Sequence, residues 1–184
     1  MDYPNLITIS GLPGGGKTTV AEMLAKKLGY RHINGGEIFR QMAQESGREF
    51  LEQNRAAAHD SSIDEQLDAR LIETARNAKK TIFEARLIAW MTKKENIPSY
   101  KIWIAAPKEV RAQRIAKRNK TSEKEALKEI EVVEASYLDR YKKIYNIDIF
   151  DTSIYDLVVS TKKMTPEKVV QFIIDNLEIA NTKQ

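Results

Sequence analysis

Apolar and polar positions along the chain predict strands and helices in alternation. "NLITIS" (5–10) is a short β-prone run that stops at "GLPGGG". The residues after it, "KTTVAEMLAKKLG", place Val20, Met23, Leu24, Ala25 and Leu28 at helical spacing before Gly29. "YRHIN" (30–34) reads as a second strand, and "GEIFRQMAQESG" (36–47) as a helix with Ile38, Phe39 and Met42 on one side. Two more helical stretches follow, "EFLEQNRAAAH" (49–59) and "SSIDEQLDARLIETARNA" (61–78), the second opened by a capping box from Ser62 to Glu65.

The third strand is "KTIFEA" (80–85), after which "RLIAWMTKKEN" turns into a helix or an irregular connection. The fourth, "YKIWIAA" (100–106), meets a helix, "PKEVRAQRIAKRN", begun by Pro107. A long helical tract runs from Ser122 to Tyr145, capped by Ser122 with Glu125, and Ala126, Ile130, Val133, Tyr137, Tyr141 and Ile144 trace its apolar stripe. Its length and charge predict that part of it stands away from the main core. "YDLVVST" (155–161) is a fifth strand, and "TPEKVVQFIIDNLEIA" (165–180) a closing helix with Thr165 as cap and Pro166 in first position. Five short strands alternating with helices predict one α/β domain over 1–184, a doubly wound five-stranded parallel sheet covered on both faces. Any active site then lies at the carboxyl ends of the strands.

Composition narrows the chemistry. There is no cysteine, which excludes disulfides, thiolate metal sites and a cysteine nucleophile, and only His32 and His59 are available for a histidine site. The 30 Lys+Arg against 26 Asp+Glu give a net charge of +4, scattered among acids, and this picks no partner by itself. Aromatic residues fall within apolar stripes instead of interleaving with a basic face, so nucleic acid is not expected. The start "MDYPNLITIS" lacks a basic segment followed by a long apolar one, and no apolar run approaches membrane-spanning length. A cytoplasmic location and no membrane partner are expected. The expected state is a monomer, with a dimer as the alternative.

"GLPGGGKT" (11–18) satisfies G-x-x-x-x-G-K-[ST] with a strand before it and a helix after it. Gly11, Gly14, Gly15 and Gly16 let backbone N–H groups converge on a phosphate, and the helix N-terminus adds its dipole. Lys17 reaches the β and γ phosphates, while Thr18, followed by Thr19, offers its hydroxyl to Mg²⁺. Gly15 stands where a serine could sit and is expected to loosen the empty loop. The motif implies a nucleoside triphosphate with Mg²⁺. A guanine-reading N-K-x-D segment and an effector loop are missing, and the third strand ends in Glu84, Ala85 and Arg86, not in Asp or Asp-Glu. Small-molecule kinases remain, whose chemistry needs cations around a phosphoryl group in flight.

Arg114 and Arg118 lie four apart on one helical face with Arg111 three before Arg114, placed either to touch phosphate or to form solvated pairs. Asp64 and Asp68 lie one turn apart beside Leu67 and Leu71. Asp64 could accept hydrogen bonds from an amino group or ribose hydroxyls, orient an arginine, or serve as a first-turn acid. Glu84 and Arg86, two apart in "TIFEARLIAWM", sit in what otherwise reads as core, and unpaired burial would cost several kcal/mol.

Over nearly its whole length the chain resembles the archaeal-type cytidylate kinases, a branch of the nucleoside monophosphate kinases. The resemblance rests on "ISGLPGGGKTTVAEMLAKKLG" (9–29), "NGGEIFRQMA" (34–43), "IDEQLDAR" (63–70), "EARLIAWM" (84–91), "RAQRIAKR" (111–118) and "RYKKIYNIDIFDTSIYDLVVST" (140–161). It implies an adenylate kinase-like P-loop fold with a helical monophosphate-binding region over 35–78 and a small lid over 118–140. The implied reaction moves a phosphoryl group from ATP to CMP or dCMP. The alternatives are another small acceptor such as AMP or UMP, or a nucleotide-binding protein with little transfer. The resemblance further places Gly36 and Arg40 at the acceptor, with Arg40 on its phosphate, and Asp64 near the nucleoside. Arg86 goes beside the acceptor phosphate or base, Arg114 and Arg118 at the entrance to the lid, and Arg140 as a possible helper at the transferring group. Thr18 and Glu84 serve the metal, Glu84 through a bound water. Asp148 and Asp151 hold the segment before the fifth strand, by capping and by pairing with arginines, or serve local turn formation.

The chain departs from the family pattern at several points. Ala85 replaces a glycine, and Ile88 a small residue, which predicts a tighter acceptor pocket. Val133 stands where a lid arginine is expected, leaving Arg140 or Arg111 to substitute. Asn146 replaces a glycine but tolerates the same left-handed turn.

Overall fold

The computed structural model describes residues 3–57 and 59–182. Strands β1 (Leu6–Gly11), β2 (Arg31–Asn34), β3 (Thr81–Glu84), β4 (Tyr100–Ala105) and β5 (Leu157–Ser160) form one parallel sheet in the order β2-β3-β1-β4-β5. The helices are α1 (Lys17–Leu28), α2 (Gly35–Glu45), α3 (Phe50–Ala57), α4 (Ser61–Arg76), α5 (Ile88–Lys94), α6 (Lys108–Asn119), α7 (Glu123–Tyr145) and α8 (Pro166–Asn181). The helix expected over 49–59 thus ends at Ala57, and residue 58 lies outside the described residues.

Side chains alternate across the strands, so one face carries Ile7, Ile9, Ile82, Ile102 and Val159 against Val20 and Leu24 of α1 and Val170, Ile173 and Leu177 of α8. The opposite face carries Leu6, Phe83 and Trp103 under α4, α5 and the end of α7. Both faces are apolar because parallel strands bury both. Strand order reverses at β1, since β2 and β3 lie to one side and β4 and β5 to the other. The crevice at the carboxyl end of β1 is therefore the place where this topology leaves room for a ligand.

Local signals set most helix ends. Ser122 and Glu125 form the expected reciprocal capping box at the start of α7, and Thr165 accepts from the Lys168 N–H with Pro166 following. The box expected from Ser62 to Glu65 is not formed. Asp60, in extended backbone at φ −134 and ψ 101, accepts from the Ser62 N–H, so the helix starts at Ser61 and Glu65 receives the Ser61 hydroxyl instead. A carboxylate two residues earlier is as good a cap as a serine, and it takes the position first.

The first half of α7 packs on α6 through Ala126 and Ile130 against Ala112, Ile115 and Ala116, away from the sheet, in line with its length and charge. Its second half does not stand apart: Tyr137, Tyr141 and Tyr145 join the core on the second face of the sheet. No helix among the described residues is long and apolar enough to cross a membrane.

Candidate active site

The loop between β1 and α1 is shaped by its glycines and held from behind. Gly16 adopts φ 97 and ψ 14, a left-handed conformation that side chains resist, and a Cβ on Gly14 would lie 2.7 Å from the Arg111 carbonyl oxygen. No side chain caps α1 and no acid occupies its first turn, so its leading N–H groups remain for an anion. The loosening expected at Gly15 is not seen. Its N–H donates to Leu12 O at 3.2 Å, and its carbonyl accepts from Arg114 Nη1 at 3.0 Å and Thr161 Oγ1 at 2.9 Å.

Lys17 follows the loop and donates from Nζ to Leu12 O at 3.2 Å. Burial pushes its pKa down to about 8; the Glu84 carboxylate opposes this, while the charges of Arg86, Arg111 and Arg118 reinforce it. Phosphate binds the protonated amine. ATP affinity is therefore expected to be full below about pH 8 and to fall as pH rises through that value. Binding titrations on either side of it check this, with a flat profile as the contrary result.

Glu84, the last residue of β3, lies in register with Ile9 of β1 and Asn34 of β2. It is 5% exposed, and its charge is surrounded by polar groups. Thr18 Oγ1 donates to Oε1 at 2.7 Å, His32 Nε2 lies 3.2 Å from Oε2, and Asn34 Nδ2 reaches the same oxygen at 3.5 Å. Asn34 also caps α2, accepting from the Gly36 N–H at 2.8 Å. The Thr18 hydroxyl and Glu84 carboxylate are hard oxygen donors of the kind that suit Mg²⁺ with water and phosphate as its other ligands.

Two residues further on, Arg86 lines a second space. A cleft of about 130 Å³, partly open to solvent, lies between α2, α4, the segment after β3 and α7. Its apolar floor includes Leu71, Ala85, Leu87 and Met91. Its polar wall holds Arg86 and Arg140 opposite Asp64 and Asp68. The Arg86 guanidinium stacks 3.4 Å from the Tyr137 ring centroid and donates to Tyr141 Oη at 2.7 Å. Arg140 Nε lies 3.2 Å from Asp64 Oδ2 without hydrogen-bond alignment. Tyr145 donates its hydroxyl to Asp68. Burial raises the pKa of both acids, Asp68 to about 6, with Arg140 opposing in each case.

Most of the residues singled out from the sequence meet here, though not all do so as expected. Gly36, Asp64 and Arg86 line the cleft, while Arg40 is exposed on α2 outside its lining. Thr19 is exposed in the first turn of α1 beside Thr18. Arg114 backs the phosphate loop, with guanidinium bonds to the Gly14 and Gly15 carbonyls and to both oxygens of Thr161. Arg118 is exposed and donates to Asn119 Oδ1. Arg111 is not available to replace a lid arginine: it is 4% exposed, pairs with Glu134 at 2.6 Å and donates to Ala106 O and Pro13 O.

The departures also resolve. Ala85 faces α2, where a Cβ on Gly35 would lie 2.7 Å from its methyl carbon, whereas Ile88 is fully buried in the core outside the cleft lining. Asn146 takes the left-handed turn at φ 55. Asp148 and Asp151 accept from the Phe150 and Ser153 N–H groups, which is turn formation, and neither pairs with an arginine among the described residues. Sequence reasoning missed the roles of Tyr145, Glu134 and Thr161. Tyr137, Tyr141 and Tyr145 recur every four residues, the one available signal, but the first two read as a core stripe that leaves Tyr145 out.

A family model described as the cytidylate kinase-like family matches residues 6–163. The chain belongs to that family. Among cytidylate kinases it is 47% identical to that of Methanocaldococcus jannaschii over 177 residues, covering 94% of this chain and 99% of the relative. With that of Halobacterium salinarum it shares 43% over 173 residues, covering 94% and 89%. Solved structures extend the likeness in fold alone. Shikimate kinase from Bacteroides thetaiotaomicron has a TM-score of 0.66 at 13% identity, covering 94% of this chain and 98% of that one. A gluconokinase from Sinorhizobium meliloti has 0.65 at 14%, covering 98% and 95%. The cytidylate kinase-like sequence thus sits on a doubly wound P-loop kinase framework.

Proposed function

We propose that the protein transfers the γ-phosphoryl group of ATP to CMP or dCMP, giving ADP and CDP or dCDP. One observation carries this reading. The exit of β3 places Glu84, hydrogen-bonded to Thr18 of the phosphate loop, two residues from Arg86, which lines a separate cleft with an apolar floor and a charged wall.

In this mechanism the loop N–H groups and the start of α1 hold the donor phosphates, and Lys17 spans β and γ. Thr18 and Glu84 would hold Mg²⁺, which would supply charge neutralisation at those phosphates. Arg86 and Arg140 fix the acceptor phosphate, so Arg140 exchanges Asp64 for it, and Arg40 and Arg118 approach from their exposed positions. Arg114 acts by holding the loop. An acceptor phosphate oxygen attacks the γ phosphorus directly while the bond to the bridging oxygen breaks, with no covalent enzyme intermediate. Residues 35–78 form the acceptor side and 118–140 a lid that excludes water, so proximity and charge stabilisation carry the rate. The protein acts as a cytoplasmic monomer on these small molecules.

The cleft's acids favour an acceptor that brings hydrogen-bond donors. An ionised carboxylate only accepts, so Asp68, held by Tyr145, suits the exocyclic amino group of cytosine and repels the carbonyl at the same place in uracil. Asp68→Asn offers both a donor and an acceptor. It is expected to narrow the ratio of kcat/KM for CMP over UMP by roughly 10- to 100-fold. An unchanged ratio removes Asp68 from base selection.

The test of the whole reading is coupled ADP release with CMP, dCMP, UMP, AMP and dTMP. CMP and dCMP are expected to lead. Turnover led by AMP or UMP favours the alternative acceptors, and no acceptor-dependent ADP with any of the five, while ATP binds, overturns the kinase reading.

A further inference from the structure

The buried ion pair between α6 and α7 has no part in the chemistry described above. Arg111 and Glu134 are 4% and 8% exposed and meet at 2.6 Å. Replacing such a pair by apolar residues of similar size is often neutral or stabilising, so stability alone does not explain it. Its connections suggest another purpose. The Arg111 guanidinium donates from Nε to Ala106 O at 3.1 Å and from Nη1 to Pro13 O, in the phosphate loop, at 3.3 Å. Its backbone presses on the same loop, where Gly14 leaves no room for a Cβ. On the other side, Glu134 lies on α7 one turn before Tyr137 and less than two turns before Arg140, both of which line the acceptor cleft.

Helix α7 is therefore held at both substrate regions. Its second half carries Arg140 against Asp64 and two tyrosines against Arg86, while Glu134 forms an ion pair, without hydrogen-bond alignment, with the arginine that bonds the loop. When an acceptor phosphate takes Arg140 and Arg86, the contacts fixing α7 change. Glu134 is the charged link that carries such a change to Pro13, because the apolar contacts between α6 and α7, Ala126 and Ile130 on Ala112 and Ile115, lie further along the hairpin.

We propose that Glu134 is a positioning residue that, through Arg111, couples occupation of the acceptor cleft to the conformation of the phosphate loop, so that donor and acceptor strengthen each other's binding. The proposal rests on the kinase reading, and turnover of wild-type protein tests that reading separately.

The experiment measures Kd for a non-hydrolysable ATP analogue with and without saturating CMP, and Kd for CMP with and without the analogue, in wild type and Glu134→Gln. Linkage makes the two ratios equal. In wild type each ligand is expected to tighten the other by roughly 5-fold or more. In Glu134→Gln the ratio is expected to fall to near one while each ligand alone still binds within a few-fold of wild type. Glu134→Asp, which keeps the charge, is expected to restore part of the coupling. A ratio unchanged by Glu134→Gln, or a ratio of one in wild type that turns over CMP, overturns the proposal. Should Glu134→Gln fail to fold, the double variant Arg111→Met with Glu134→Leu removes the buried charge as a pair and is read by the same ratios.

Discussion

Replacing Lys17 with alanine is expected to lower kcat/KM for phosphoryl transfer by about two to three orders of magnitude, or more, while the protein remains folded. Lys17 is the cation that the motif aims at the transferring group, and its Nζ donates to the Leu12 carbonyl. The transition state spreads negative charge over the oxygens Lys17 would touch, so the loss falls on the rate as well as on ATP affinity. Stability should move little, because burial already lowers the proton affinity of this amine and its removal relieves that penalty. Steady-state kinetics together with a thermal melt check both halves. Activity within a few-fold of wild type would mean that the loop N–H groups and Mg²⁺ suffice.

Arg86→Ala is the second large effect, and it should separate acceptor from donor. A loss of about 10²- to 10³-fold in kcat/KM is expected when the acceptor is varied, with ATP binding changed much less. The guanidinium is also structural: it covers the Tyr137 ring and supplies the donor to the Tyr141 hydroxyl. Leaving that hydroxyl unpaired beside an empty space should destabilise the fold by about 1–3 kcal/mol. Arg86→Lys keeps a charge but lacks the planar fork that can stack on one ring, bond another and still meet phosphate, so it should rescue little. Kinetics with CMP varied, ATP binding by titration and a melt measured in parallel decide this. Equal losses for donor and acceptor would place Arg86 outside the acceptor site.

The framework was legible because its signals are local. A strand ending in "GLPGGGKT" and resuming as a helix needs no long-range information, and the alternation of apolar runs gave all five strands. The register of Glu84 with Asn34, and its contact with Thr18, follow once the strands are parallel. What stayed hidden needed tertiary partners. Arg114 reads as a phosphate ligand until Thr161, distant in sequence, arrives beside it. Arg111 looks like a free cation until α7 returns with Glu134. Three tyrosines at helical spacing look apolar because rings and hydroxyls share one side chain, and only the opposing Arg86 and Asp68 show which end matters. At α4 the error was one of competition, since two good caps lay side by side and spacing alone does not choose between Asp60 and Ser62.

The contact between Gly35 and Ala85 limits the order in which this sequence can change. With a methyl already at 85, a methyl at 35 would have to share space with it at 2.7 Å and with Leu71 at 3.2 Å, so Gly35→Ala alone should displace the start of α2. The same change made together with Ala85→Gly should be close to neutral, and comparing melts of the two single variants and the double variant measures this dependence. With glycine at 85, a methyl at 35 would lose its tightest contact and meet only Leu71 at 3.2 Å and the Glu84 carbonyl oxygen at 3.4 Å. In this chain the two positions have become a single choice, and a step at 85 must come first.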